Sequence, residues 1–97
     1  MAYRLRFTRI YKTKYEKITR KDLKLKSQIV KVHKLLSLDP HSPSLKSHKV
    51  NAVNFGQAWS SRVTGDIRII WNYDKQEQLI ILILNIGSHS GSSKVYK

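Results

Sequence analysis

Two neighbouring apolar runs separated by five polar residues constrain this chain more than any other feature. From Ile67 to Tyr73 the sequence alternates, with Ile67, Ile69, Trp71 and Tyr73 on one parity and Asp66, Arg68, Ile70 and Asn72 on the other. A period of two is that of a β-strand with one apolar face and one mostly polar face. From Leu79 to Ile86 every residue except Asn85 is apolar. That pattern fits a strand covered on both sides, so this run is expected to be the central strand. Asp74 to Glu77 lies between the two runs and should close a hairpin.

A second turn, Thr64-Gly65-Asp66, joins Ala58–Val63 to Ile67–Tyr73, and Gly65 is expected to supply a positive φ there. Its register decides the chemistry, because a slip of one residue would send every side chain to the opposite face. A three-residue loop sets Val63 opposite Ile67 and Arg62 opposite Arg68. Trp59, Val63, Ile67, Ile69 and Trp71 then share the core face, and Ser60, Arg62, Arg68 and Asn72 share the other. A two-residue loop would mix Arg62 with Ile67, a worse separation. Two arginines set opposite each other repel, and that cost suggests an anion between them. The alternative is a pair of solvated arginines on an ordinary exposed face.

Upstream, Tyr3–Phe7 reads as an edge-compatible strand with Arg4 and Arg6 in solvent. Phe7, Ile10, Tyr11, Tyr15 and Ile18 then recur at helical spacing. Thr19 is expected to cap a second helix with Asp22 at its third position, and Leu25, Ile29, Val32 and Leu36 form the buried stripe. The prolines at 40 and 43 end that helix. His33 is expected at a partly buried structural position, and His41 is expected simply solvated in the Pro/Ser loop. In the last eleven residues, GSHSGSSKVYK, only Val95 and Tyr96 are bulky enough to anchor the tail on the sheet. The layout is α+β: an N-terminal strand, a two-helix hairpin, then a three- or four-stranded antiparallel sheet, with helices on one face and the other face open.

Ninety-seven residues suit a single domain, 1–97, with one modest core. The absence of cysteine excludes disulfides and thiolate sites, and no apolar stretch reaches membrane length, so a soluble cytoplasmic protein is expected. The net charge of +13 calls for a polyanionic partner, nucleic acid or an acidic protein. The excess is uneven: residues 1–50 hold fourteen basic and three acidic side chains, and residues 51–97 hold five and three. Gly-rich phosphate loops, HExxH, GxSxG and clustered carboxylate pairs are all missing, which removes metal, nucleotide and hydrolase-triad readings.

LKSHK at 45–49, WSSRVTGDIRIIW at 59–71 and ILNIGSHSGSSKVY at 83–96 together resemble the RelE/ParE toxin superfamily, in particular RelE/YafQ-like messenger RNA interferases of type II toxin-antitoxin pairs. The resemblance covers essentially the whole chain. It implies a RelE-like fold, no cofactor or metal, and ribosome-dependent endoribonuclease activity on mRNA. It also implies a cognate acidic antitoxin, with ribosome and mRNA as the other partners and no membrane. By position, Arg68 matches the arginine that holds the scissile phosphate, and His89 a histidine or arginine that moves a proton or stabilises charge. Asp66 and His48 resemble active-site residues of the YafQ-like branch, and Tyr96 an aromatic that stacks or orients the substrate. Arg62, Lys46, Lys49 and Ser60 complete the set as RNA-binding residues. Ala58 and Ser60 stand where some RelE members carry lysines, and Tyr96 lies further from His89 than is usual. A ParE-like inhibitor of DNA gyrase, without nuclease activity, is the competing implication of the same resemblance.

Overall fold

The computed structural model describes residues 2–88 and 95–96. The elements run β1 (Arg4–Phe7), α1 (Arg9–Thr19), α2 (Leu23–Leu38), a 3-10 turn (Pro43–Leu45), β2 (His48–Ala52), β3 (Gly56–Arg62), β4 (Ile67–Tyr73) and β5 (Ile80–Ser88). The expected α+β order holds, with four antiparallel strands after the helices. The sheet itself has five strands in the order β1-β5-β4-β3-β2, because β1 pairs in parallel with β5. The middle strand is therefore β4 rather than the more apolar β5, which lies between β1 and β4. Continuous hydrophobicity in β5 reports cover on both faces and carries no information about rank in the sheet.

The helix-side face holds the larger core: Ile69 and Trp71 of β4 and Ile81, Ile83 and Ile86 of β5 pack with Tyr11, Ile29, Val32 and Leu36 from the helices. Trp71 is wholly buried, and its indole N–H donates to Ser61 Oγ at 2.7 Å. Ser61 Oγ meets Ser47 Oγ at 2.6 Å, and Ser47 Oγ donates to Pro40 O, so this chain of bonds ties the loop after α2 to the core.

Caps differ from expectation. Asp22 is itself the N-cap of α2, accepting from Leu25 N at 2.9 Å, while Thr19 ends α1 with its hydroxyl on Tyr15 O. Either residue could serve by type; the chain breaks after Thr19 because Arg20 and Lys21 form the turn. Thr8 caps α1 by accepting from Tyr11 N and also donates to Leu84 O at 2.7 Å. That carbonyl sits at a bulge, where the pairing passes from Ile70↔Asn85 to Trp71↔Ile83 and leaves Leu84 as the extra residue of β5.

Positive φ occurs at Asn54 and Gly56 in the β2–β3 turn, at Lys46 and at Leu79, and not at Gly65. The β3–β4 turn closes instead through Thr64, whose hydroxyl accepts from the backbone N–H of Asp66 and Ile67. The second face of the sheet is not fully open either. Ala52, Ala58, Ile70 and Leu84 form a smaller cluster with Val95, against which Phe55 and Tyr96 pack. Val95 is fully buried and bonded to both sides, its N–H to Ser88 O and its C=O to Val53 N–H, so the expected anchoring of the tail is what the structure shows.

Candidate functional site

The β3–β4 register places Arg62 directly opposite Arg68, as the parity of Val63 and Ile67 predicts. Across β4, Arg68 faces Gly87 of β5, so one side of the guanidinium's row has no side chain at all. The Arg68 head group is anchored at the turn: Nη1 donates to Thr64 O at 2.6 Å and Ile67 O at 3.2 Å, and Nη2 to Gly65 O at 3.2 Å. Three of its five N–H donors are thereby used, and the Nε–H with the second Nη2–H remains as a fork suited to two oxygens of one phosphate. The carbonyls also offset the repulsion from Arg62. Among the described residues no carboxylate lies within ion-pair distance of either arginine, and the ion pairs are those of Arg6 with Asp74 and Glu77.

The next row along the same face runs from His48 through Ser60 to Ile70. Same-face rows on a strand lie about 7 Å apart. Ser60 Oγ and Tyr96 OH are 2.6 Å apart, so the tail tyrosine is held over this row. Ser60 is wholly buried beneath it, which makes it a support for Tyr96 rather than the RNA-facing residue expected. His48 is exposed, and its Nδ1 lies 2.9 Å from Lys46 O. A carbonyl only accepts, so Nδ1–H donates this bond and Nε2 is left for another partner. Lys46 itself has left-handed backbone at the end of the 3-10 turn, which aims its carbonyl at the imidazole.

Asp66 lies in the β3–β4 turn, where its carboxylate accepts from Ser88 Oγ at 2.6 Å at the end of β5. His89 follows directly and lies outside the described residues. Lys49 does not join this site. It pairs with Trp59 in the β2–β3 ladder and so belongs to the opposite face, its ammonium 5.7 Å from the Trp59 ring. His41, expected simply solvated, packs edge-on to Trp59 at 4.7 Å between ring centroids, with Nε2 2.8 Å from Tyr73 OH. Nothing in the local sequence marks Gly87 as the partner of Arg68. The pairing of Val50 with Ala58 fixes the β2–β3 register and with it the face that each of Lys49 and His48 takes.

Elsewhere, Tyr11 OH and His33 Nε2 meet at 2.5 Å between the helices, and burial lowers the His33 pKa to about 4 while raising that of Tyr11. A neutral His33 accepts, so Tyr11 donates.

No protein-family profile and no curated protein sequence matches this chain. Solved structures do. It superposes on a YoeB/ParE toxin from Agrobacterium tumefaciens with a TM-score of 0.73 at 17% identity, over 90% of this chain and 99% of the other. For the RelE of an archaeal RelE-RelB complex from Pyrococcus horikoshii the TM-score is 0.71 at 15% identity, covering 95% and 100%. For a chain of the heterotetrameric YoeB-YefM toxin-antitoxin complex from Staphylococcus aureus it is 0.69 at 18% identity, covering 93% and 100%. At such identities it is the fold that is shared, and it is the fold of the RelE/ParE toxin superfamily.

Proposed function

We propose that this chain is the toxin of a toxin-antitoxin pair and acts as a metal-independent endoribonuclease that cleaves mRNA on the ribosome. The observation that carries the reading is the row of Arg62 and Arg68, held one pleat from His48, Ser60 and Tyr96 on a single sheet face. Cleavage without metal needs a base for the 2′-hydroxyl proton, an acid for the leaving 5′-oxygen, and cations for the phosphorane. Arg68, with its remaining fork, binds the scissile phosphate, and Arg62 adds the second charge. His48 Nε2 and His89 are the proton-transfer groups. Tyr96 orients or stacks the base beside the scissile bond, Ser60 positions Tyr96, and Asp66 and Lys46 orient the groups around them.

The basic half of the chain, residues 1–50, draws the protein to ribosomal and messenger RNA, and the same charge suits an acidic antitoxin. Primer extension on mRNA in a translating extract tests the reading. The wild type is expected to cut, and Arg68→Ala and His89→Ala are each expected to lower cleavage by about two to four orders of magnitude while remaining folded. Undiminished cleavage by both variants would remove these residues from the mechanism. A wild type that leaves mRNA intact and inhibits gyrase would replace the nuclease with a ParE-like activity.

A further inference from the structure

The β3–β4 ladder ends at Trp59↔Trp71, although β3 begins three residues earlier at Gly56 and β4 continues to Tyr73. Beyond that pair the strands part. The Asn72 side chain stands in for the missing ladder, accepting from Tyr73 N–H at 3.0 Å and reaching Gln57 O at 3.4 Å. A cleft of about 450 Å³ opens there, lined by Lys49, Gln57, Trp59, Asn72, Tyr73 and Lys75 among others. It lies at the opposite end of β3 from Arg62, about 16 Å along the strand.

Trp59 lines this cleft, with the Lys49 ammonium over its ring at 5.7 Å from the centroid. Trp71, Trp59 and Lys49 form a row across β4, β3 and β2, the two indoles nearly parallel at 15° and 5.7 Å between centroids. Trp71 is buried, whereas Trp59 is only partly so. Lys49 and Lys75 are exposed, and neither has a carboxylate within ion-pair distance among the described residues.

We propose that this cleft is a nucleobase-stacking subsite for single-stranded RNA, with a base on Trp59, amides of Gln57 and Asn72 at its edge, and the flanking phosphates on Lys49 and Lys75. The proposal rests on the RNA-cleaving reading and extends it to the other side of the sheet edge. A flat aromatic surface takes any base, and two separated lysines match a backbone that carries a charge at each step. An acidic peptide would use the lysines but not the indole and the amides. Because β2 is the edge strand, His48 on one face and Lys49 on the other are neighbours in sequence. A strand of RNA leaving the Arg62–Arg68 row over that edge meets Lys49 and then Trp59.

The test is a titration of the full chain with a short 2′-O-methyl oligoribonucleotide, which lacks the attacking hydroxyl, followed by tryptophan fluorescence. The wild type is expected to be quenched, and Trp59→Leu is expected to lose the quench and about tenfold in affinity. Lys75→Ala, an exposed change that cannot disturb the core, is expected to flatten the log–log salt slope by about 0.7. An abasic oligomer of equal length should bind without the quench. Equal quenching by the abasic oligomer, or an unchanged salt slope in Lys75→Ala, would overturn the subsite, as would a quench by polyglutamate that displaces the oligomer. Binding that ignores Trp59 and Lys75 but weakens in Arg68→Ala would sink the subsite and leave the nuclease reading standing. No binding at all would overturn the subsite, while the nuclease reading stands or falls with cleavage in the translating extract.

Discussion

The two faces of the sheet are built on different terms. The helix-side face is dense with large side chains, and Trp71, Ile69, Ile81, Ile83 and Ile86 there are completely buried. The tail-side face carries small residues, Ala52, Ala58 and Ser60, beside Ile70 and Leu84, and among the described residues Phe55, Val95 and Tyr96 pack over it. Small side chains keep that surface low, so arginines rise from it beside a tyrosine brought in by the tail. Stability is concentrated on one face and the proposed chemistry on the other. A single sheet serves both because alternate residues of the same strands point to opposite sides.

Trp71→Ala should show the division most strongly, costing about 3–5 kcal/mol in urea unfolding, since it leaves a large void and strips Ser61 of a donor. Arg68→Ala, measured the same way, should change stability by less than about 1 kcal/mol while abolishing most cleavage. A large stability loss in Arg68→Ala would break the contrast between the faces. Tyr96→Ala should lower cleavage by about 1–3 kcal/mol in transition-state terms. Tyr96→Phe, which keeps the ring but loses the Ser60 bond, separates stacking from positioning.

His33 provides a pH test confined to the helix side. Its folded pKa is near 4 and its unfolded value is 6.5, so between those limits the unfolded chain holds the extra proton and folding weakens as pH falls. Solvent screening of this partly exposed ring reduces the effect to about 2 kcal/mol between pH 7 and 4. His33→Gln should flatten the dependence, and an unchanged slope would assign the acid sensitivity to another group. Thr8→Val is expected to cost about 1 kcal/mol, because it removes both the α1 cap and the bond to the bulge carbonyl.

Much of this was legible in the residues. The Arg62–Arg68 pairing followed from the parity of Val63 and Ile67, and the tail contact from Val95 and Tyr96 as the only bulky residues there. What was not legible depends on partners distant in sequence. Alternation in YRLRF identifies a strand but not that it lies parallel to β5, and no local signal marks Leu84 as the extra residue of a bulge. Lys49 and His48 look equivalent in a basic run, and only pairing with Trp59 and Ser60 decides which of the two faces each of them takes. Ser60 reads as a surface hydroxyl until Tyr96 is laid over it.

The parallel pairing of β1 with β5 also governs timing. Arg4 finds Ile80 as its partner, so the first strand to leave the ribosome waits for the last before it has a neighbour. Contacts this remote in sequence form late, after most of the chain's loop-closure entropy has been lost. Tyr96, which completes the proposed site, is synthesised later still. A nascent copy therefore cannot complete the proposed site until β5 and the segment that carries Tyr96 have both been made.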